Sequence, residues 1–196
     1  MLGSAFFSQA ADNEVAPGAT TIQPLLIGAA TPSVNVNGLN GETIDLAHFV
    51  KEEPTILIFF RGSWCPYCMK QLGQLQKWLP KFKEAGFRIV TVTQDSAEMN
   101  KKTQKKYNFG FPILSDSSMA AAKAYGLVFE VDQETITQYK SYNIDLVGLY
   151  GRTQPLMAVP GIFLSQNDGV IRFQYVNPDY RIRLAPEVLL AAANSQ

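Results

Sequence analysis

The sequence predicts a mixed α/β fold in which a central sheet is covered by helices on both faces. Three observations carry this. Short apolar runs rich in β-branched and aromatic residues, 55–60 and 87–93, alternate with stretches of helical spacing; a β-hairpin precedes them; a second hairpin and a closing helix follow. With 196 residues, 46% of them hydrophobic, the chain can bury one sizeable core, and its length favours a single domain over residues 24–196.

The first 23 residues differ from the rest and read as a leader remnant or a disordered N-terminal segment. Leu2-Gly3-Ser4-Ala5-Phe6-Phe7 followed by Ser8-Gln9-Ala10 has the form of the end of a secretory apolar region with its small-residue cleavage site, although a cationic start is missing. A trimmed export signal over residues 1–10, and hence a periplasmic or otherwise exported protein, is the preferred expectation. The alternative is an ordinary loose terminus on a cytoplasmic protein. Asp12 to Gln23 reads as an unstructured lead-in.

From Ser33 the chain alternates, Asn37-Gly38 and Asn40-Gly41 signal turns, and Glu42 to Leu46 resumes extended spacing, which makes the first hairpin. Asp45 caps a short helix through Lys51, and Pro54 restarts the chain before the buried strand Thr55-Ile56-Leu57-Ile58-Phe59-Phe60. Leu72, Leu75, Leu79 and Phe82 then follow at three- and four-residue steps, the pattern of a helix that Pro80 should kink and Gly86 should end. A second apolar strand spans Phe87 to Thr93, and a helix follows from Ser96 to Tyr107. Phe111 to Leu114 is extended, and Asp116-Ser117-Ser118 leads into an Ala-rich helix closed by Gly126. Between Phe129 and Pro155 the pattern supports a helix near Asp132 to Tyr142 and then a loop. Met157 to Leu164 is a strand interrupted by Pro160; Asn167-Asp168-Gly169 turns the chain; Val170 to Val176 pairs back; Ala185 to Ala193 closes it as a helix.

The chain has two cysteines, and both stand in one run, Cys65-Pro66-Tyr67-Cys68, between a strand and a helix. That position makes a redox dithiol the leading reading, with the first sulfur exposed and the second tucked inward. Pro66 falls in the first helical turn, where its missing N–H costs nothing. The unpaired N–H groups and the positive end of the helix dipole favour a thiolate at Cys65, which is the form that attacks a disulfide or a peroxide. Arg61, four residues upstream, adds a second positive charge or pairs with a carboxylate at the strand end. Trp64 packs beside the dithiol and shapes access to it, and Tyr139, Tyr142 and Tyr150 line a partner groove or simply pack. Two other readings compete: half of a zinc site, and two inert core cysteines. Zinc needs four ligands, and the chain offers two cysteines and the single distant His48, so no metal is expected.

Seventeen basic and seventeen acidic residues cancel, which argues against a nucleic-acid surface. No stretch approaches the apolar length needed for a membrane span. No cofactor motif is present, and nothing resembles a phosphate-cradling glycine loop or a serine triad.

The run Phe59-Phe60-Arg61-Gly62-Ser63-Trp64-Cys65-Pro66-Tyr67-Cys68 resembles the thioredoxin superfamily and, more narrowly, the peroxiredoxin-like branch of the alkyl hydroperoxide reductase C/thiol-specific antioxidant (AhpC/TSA, redoxin) family. The likeness extends from about Leu25 to Ala192, through Thr91 to Ser96, Phe111 to Asp116 and Gly161 to Leu164. It implies a thioredoxin-like fold carrying an N-terminal β-hairpin extension, an antioxidant-type enzyme, Cys65 as the attacking sulfur, Cys68 as the resolving one, and a Cys65–Cys68 redox disulfide. It also implies that Pro160 is a cis-proline facing the dithiol, with the Val159 backbone free to pair with an extended substrate. The departures are as informative. Ile58 and Gly62 stand where a peroxidatic motif would have proline and threonine, and Pro160 stands where the family's peroxide-orienting arginine would be; Ser63 and Arg61 are the available substitutes. Phe59 and Gln71 occupy the places of the carboxylates that assist exchange in relatives, so resolution is expected to be slow. Three functions follow in order of preference: a thiol–disulfide oxidoreductase; a thiol-dependent peroxidase acting on hydrogen peroxide or alkyl hydroperoxides; and a non-enzymatic redox-sensing module. The expected partners are a protein or small-molecule disulfide, or a peroxide, together with a thiol electron donor.

Overall fold

The computed structural model describes residues 15–196. Its strands are β1 (Asn35–Asn37), β2 (Thr43–Asp45), β3 (Thr55–Phe59), β4 (Arg88–Thr93), β5 (Ile113–Ser115), β6 (Val128–Glu130), β7 (Leu156–Ala158), β8 (Gly161–Ser165) and β9 (Ile171–Val176). Seven form one mixed sheet in the order β2-β1-β5-β4-β3-β8-β9, while β6 and β7 pair as a separate two-stranded sheet. β3 lies parallel to β4 and antiparallel to β8, which puts the end of β3 deep in the sheet.

Every residue of β3 is buried because both faces of the sheet are covered. Ile56, Ile58 and Phe60 face one apolar cluster, shared with Leu72, Leu75, Leu79 and Phe82 and with Leu189 of the closing helix. Leu57 and Phe59 face the other, shared with Leu46, Ala121, Ala122 and Tyr125. This alternation is the two-residue period of a strand, and each such side chain contributes roughly 1.5–3 kcal/mol on burial.

The helices are α1 (Leu46–Glu52), α2 (Pro66–Glu84), α3 (Ala97–Tyr107), α4 (Ala120–Ala124), α5 (Gln133–Ser141), α6 (Leu146–Tyr150) and α7 (Pro186–Asn194). Asp45 caps α1 by accepting from the His48 N–H, as expected, and His48 itself is exposed. α2 ends at Gly86, whose φ of +83° suits a residue without Cβ, and the Phe87 N–H reaches back to the Phe82 carbonyl at 2.9 Å. α2 continues through Pro80 to Glu84. Pro80 lies on the exposed face, so the carbonyl its ring leaves unpaired can be met by water.

Two expectations are corrected. Residues 143–155, expected as loop, hold α6 and lead into β7; Asp145 caps α6 by accepting from the Gly148 N–H, a local signal with no hydrophobic period behind it. From residue 15 the expected unstructured lead-in is docked: Ala16 donates to the Val128 carbonyl at 3.0 Å and accepts from the Glu130 N–H at 2.9 Å, satisfying the outer edge of β6. The pattern expected of an export signal, over residues 1–10, lies outside the described residues. Among the described residues no helix is long and apolar enough to cross a membrane.

Candidate active site

The site begins where β3 stops. After Phe59 the chain leaves the sheet, and its next amide, Phe60 N–H, still donates to the Val92 carbonyl at 3.0 Å. Gly62 then turns it with φ +149°, and a Cβ there would stand 2.7 Å from the Tyr150 hydroxyl. Only glycine suits both demands. Cys65 is the N-cap of α2: its Sγ accepts from the Cys68 N–H at 3.4 Å, and Pro66 occupies the first helical turn. Both thiols are free in this structure.

The sequence expectation of an exposed Cys65 is wrong, since both sulfurs are 0% exposed. Cys65 lies inside the apolar cluster between β3 and α2, with Trp64 packed against that cluster from outside. Arg61 closes on it from the loop, its Nη1 3.9 Å from Cys65 Sγ. This arginine is 4% exposed. Its Nε donates to Met157 Sδ at 3.0 Å, its Nη2 donates to the Tyr139 hydroxyl, and its guanidinium lies 3.8 Å from the Tyr180 ring centroid and 5.0 Å from that of Trp64. Ion pairs among the described residues engage Arg88, Lys102, Arg172 and Arg181. Arg61 has no carboxylate within ion-pair distance there, and a buried cation without a counter-charge is costly. A thiolate at Cys65 supplies that counter-charge.

The electrostatics separate the two sulfurs. A hydrogen bond from the Cys68 thiol, outweighing burial and helped by Arg61 and the Cys68 amide, brings Cys65 down to about 6. Burial, with the Cys65 anion beside it, pushes Cys68 well above the usual thiol range. One sulfur is therefore a nucleophile near neutral pH, and the other keeps its proton until the first is consumed.

Two supports come from residues that sequence reasoning did not assign. Asp95, at the end of β4 and 0% exposed, accepts from the Ser63 N–H at 2.7 Å and from the Tyr150 hydroxyl at 2.7 Å, while the Tyr150 oxygen accepts from Trp64 Nε1 at 2.6 Å. Burial first, and the Asp95 carboxylate second, push the Tyr150 hydroxyl up, which keeps it a donor. On the opposite side, Arg183 Nη2 stands 3.5 Å from Cys68 Sγ, its Nη1 donates to Gln71 Oε1 at 2.9 Å and its Nε to the Tyr180 carbonyl at 2.6 Å. Next to Arg61 a cleft of about 280 Å³ opens, lined among others by Phe129, Met157, Val159, Pro160, Pro178 and Tyr180.

Of the residues singled out in the sequence, Cys65, Cys68, Arg61 and Trp64 come together. Ser63 joins through its backbone N–H. Pro66 is exposed on α2, and Tyr67, 41% exposed, packs edge-on to Tyr180 with ring centroids 5.6 Å apart. Val159 and Pro160 line the cleft, but one expectation about them fails and the other is narrowed to the Val159 carbonyl. No peptide bond among the described residues is cis, so Pro160 is trans: it links the end of β7 to the start of β8, two different sheets, where the favoured trans form suffices. The Val159 N–H is already spent on the Leu127 carbonyl at 2.9 Å, so it is not free for an incoming strand. Tyr139 and Tyr150 do reach the site, from α5 and α6, whereas Tyr142 points outward at 60% exposure.

Residues 27–174 match the family model described as the AhpC/TSA family. The chain is 29% identical over 110 residues to the thiol-disulfide oxidoreductase ResA of Bacillus thuringiensis subsp. konkukian, covering 56% of this chain and 62% of that one. It is 30% identical over 100 residues to the chloroplastic peroxiredoxin Q of Oryza sativa subsp. japonica, covering 51% of this chain and 46% of that one. The chain thus spans about half the length of the curated relatives it matches. Among solved structures, peroxiredoxin Q of Xanthomonas campestris superposes with TM-score 0.65 at 23% identity, over 87% of this chain and 96% of that one. The peroxidoxin BcpB of Mycobacterium tuberculosis superposes with TM-score 0.65 at 16% identity, over 86% and 96%. At such identities the likeness is one of fold.

Proposed function

The chain belongs to the AhpC/TSA family, and from that premise we propose that it is a two-cysteine thiol–disulfide oxidoreductase. Cys65 thiolate attacks one sulfur of a partner disulfide, and the partner's other sulfur leaves and takes up a proton. Cys68 then attacks Cys65 Sγ, closing the Cys65–Cys68 disulfide and releasing the second partner thiol. A thiol donor returns the pair to the reduced state. The observation that carries this reading is the division of labour between the sulfurs: one is lowered to about 6 at a helix N-cap beside a buried arginine, the other held protonated within the same turn.

Arg61 favours a second reading, a thiol peroxidase. Its Nη1 beside Cys65 Sγ is a positioned cationic donor of the kind an O–O bond needs for cleavage, and it stands in for the arginine that Pro160 displaces. In that case the Cys65 thiolate attacks one peroxide oxygen, the O–O bond breaks and the other oxygen leaves, protonated, as water or an alcohol; Cys65 is then a sulfenic acid, and Cys68 attacks its sulfur with loss of water.

Two measurements test these readings. Cys65→Ser should lose all turnover and Cys68→Ser should accumulate the mixed disulfide; a Cys65→Ser protein that still reduces a small disulfide at the normal rate refutes both. Stopped-flow oxidation by hydrogen peroxide, set against a disulfide, ranks them. A peroxide rate no faster than that of a free thiol removes the second.

A further inference from the structure

We propose that Arg183 is the catalytic residue of the buried sulfur, holding the Cys68 thiolate when it attacks and when it leaves. This rests on the dithiol cycle above, for either oxidant.

Neither Phe59 nor Gln71 can take a proton from Cys68, and Cys68 is 0% exposed. Yet it must ionise to attack. Gln71, 5% exposed, does something else: its Oε1 accepts from Arg183 Nη1, while the Tyr180 carbonyl accepts from Nε, and this fixes the fork so that Nη2 faces Cys68 Sγ at 3.5 Å. Two of the three nitrogens are anchors, and the third addresses the sulfur. No carboxylate among the described residues pairs with Arg183, so its charge is not neutralised elsewhere.

The timing follows from the charges acting on Cys68, those of Cys65 and Arg183, beside a hydrogen bond from the Arg61 backbone. In the reduced pair the Cys65 anion opposes ionisation of Cys68. Once Cys65 is tied into the mixed disulfide that anion is gone, and burial is opposed by the arginine. Cys68 then gives its proton to water; its lone pair forms the Cys68–Cys65 bond; the Cys65–partner bond breaks, its electron pair leaving on the partner sulfur, which is protonated. The dithiol has lost two electrons and the partner disulfide has gained them. When a donor thiolate later attacks Cys65, the same guanidinium receives Cys68 as the leaving thiolate. Help by a fixed charge needs no base with a tuned pKa.

The experiment reads Cys68 with no substrate present. In the Cys65→Ser protein Cys68 is the single thiol, and its ionisation is followed by thiolate absorbance in the ultraviolet. Adding Arg183→Met should raise that titration by about one unit or more, a tenfold loss of thiolate at a given pH, and Arg183→Lys should recover part of it. In the two-cysteine protein Arg183→Met should slow release from the mixed disulfide about tenfold and move the pH profile of that step upward. The preceding attack by Cys65 should change less than threefold. An unmoved Cys68 titration overturns the proposal. Should Arg183→Met not fold, Gln71→Leu, which keeps the arginine but frees it, decides: a higher Cys68 titration supports the role and an unchanged one overturns it. A wild-type protein inactive toward disulfides and peroxides would refute the proposed function, while the Cys68 titration would still judge Arg183.

Discussion

The central sheet and the segment running from β6 to β7 are built on opposite plans. β3, β4 and β8 are apolar, two-faced and tied to their neighbours by five- and three-residue registers, so many equivalent contacts share the load. The β6-to-β7 segment has three-residue strands and short helices, and it meets the dithiol through single side chains: Tyr139 on Arg61, Met157 on Arg61, Tyr150 on Trp64 and Asp95. The difference separates stability from reactivity. Loss of a sheet side chain should unfold the protein without retuning the sulfur, whereas loss of Arg61, which Tyr139 and Met157 of the segment hold against Cys65, should retune the sulfur while the fold persists.

The largest effect should come from the sheet. Leu57→Ala removes a side chain that is 1% exposed at the centre of β3 and should cost about 2–5 kcal/mol by denaturant unfolding. The folded fraction should keep its Cys65 titration near 6. A shift of that titration by a full unit would break the comparison.

Arg61→Met comes next and tests the other half. In the wild type, attack by Cys65 should rise about tenfold per pH unit below 6 and flatten above about 7, because the thiolate is the reacting form and Cys65 is lowered to about 6. Without the guanidinium the inflection should move up by roughly one to three units, so the rate at pH 7 falls while the high-pH plateau survives. An unmoved inflection would show that the Cys68 thiol and the helix end suffice alone.

Smallest should be Tyr150→Phe. It deprives Trp64 Nε1 and Asp95 Oδ1 of their shared partner and should cost about 1–3 kcal/mol, with a change in tryptophan emission and little movement of the Cys65 inflection. A large movement would mean that α6 governs the sulfur as directly as α5 does.

The sheet was legible because burial on both faces writes itself into consecutive residues: Thr55–Phe59 and Arg88–Thr93 needed nothing outside their own windows. The cap Asp45 was equally local. The dithiol was legible for the same reason, four adjacent residues at a strand-to-helix junction. Arg183 lies 115 positions from Cys68, Tyr139 lies 78 from Arg61, and Asp95 lies 32 from Ser63. Arginine and tyrosine are common at surfaces, and no spacing distinguishes those that fold back on a sulfur. One signal was available. The vacancies at Phe59 and Gln71 implied that help for Cys68 must come from elsewhere, and Gln71 proved to be the residue that holds that help in place.

Concealment of Cys65 sorts reagents by bulk. A sulfur that a water-sized sphere cannot touch reacts with nothing until neighbouring atoms part, and the gap required widens with the visitor. A molecule of a few atoms needs only side chains to part, among them Trp64, which packs against the cluster from outside. A folded partner must displace loop backbone, on a scale of about nanoseconds to microseconds. Both openings are fast beside sulfur exchange, so the share of time each width is open, rather than the speed of opening, ranks small oxidants against macromolecular disulfides.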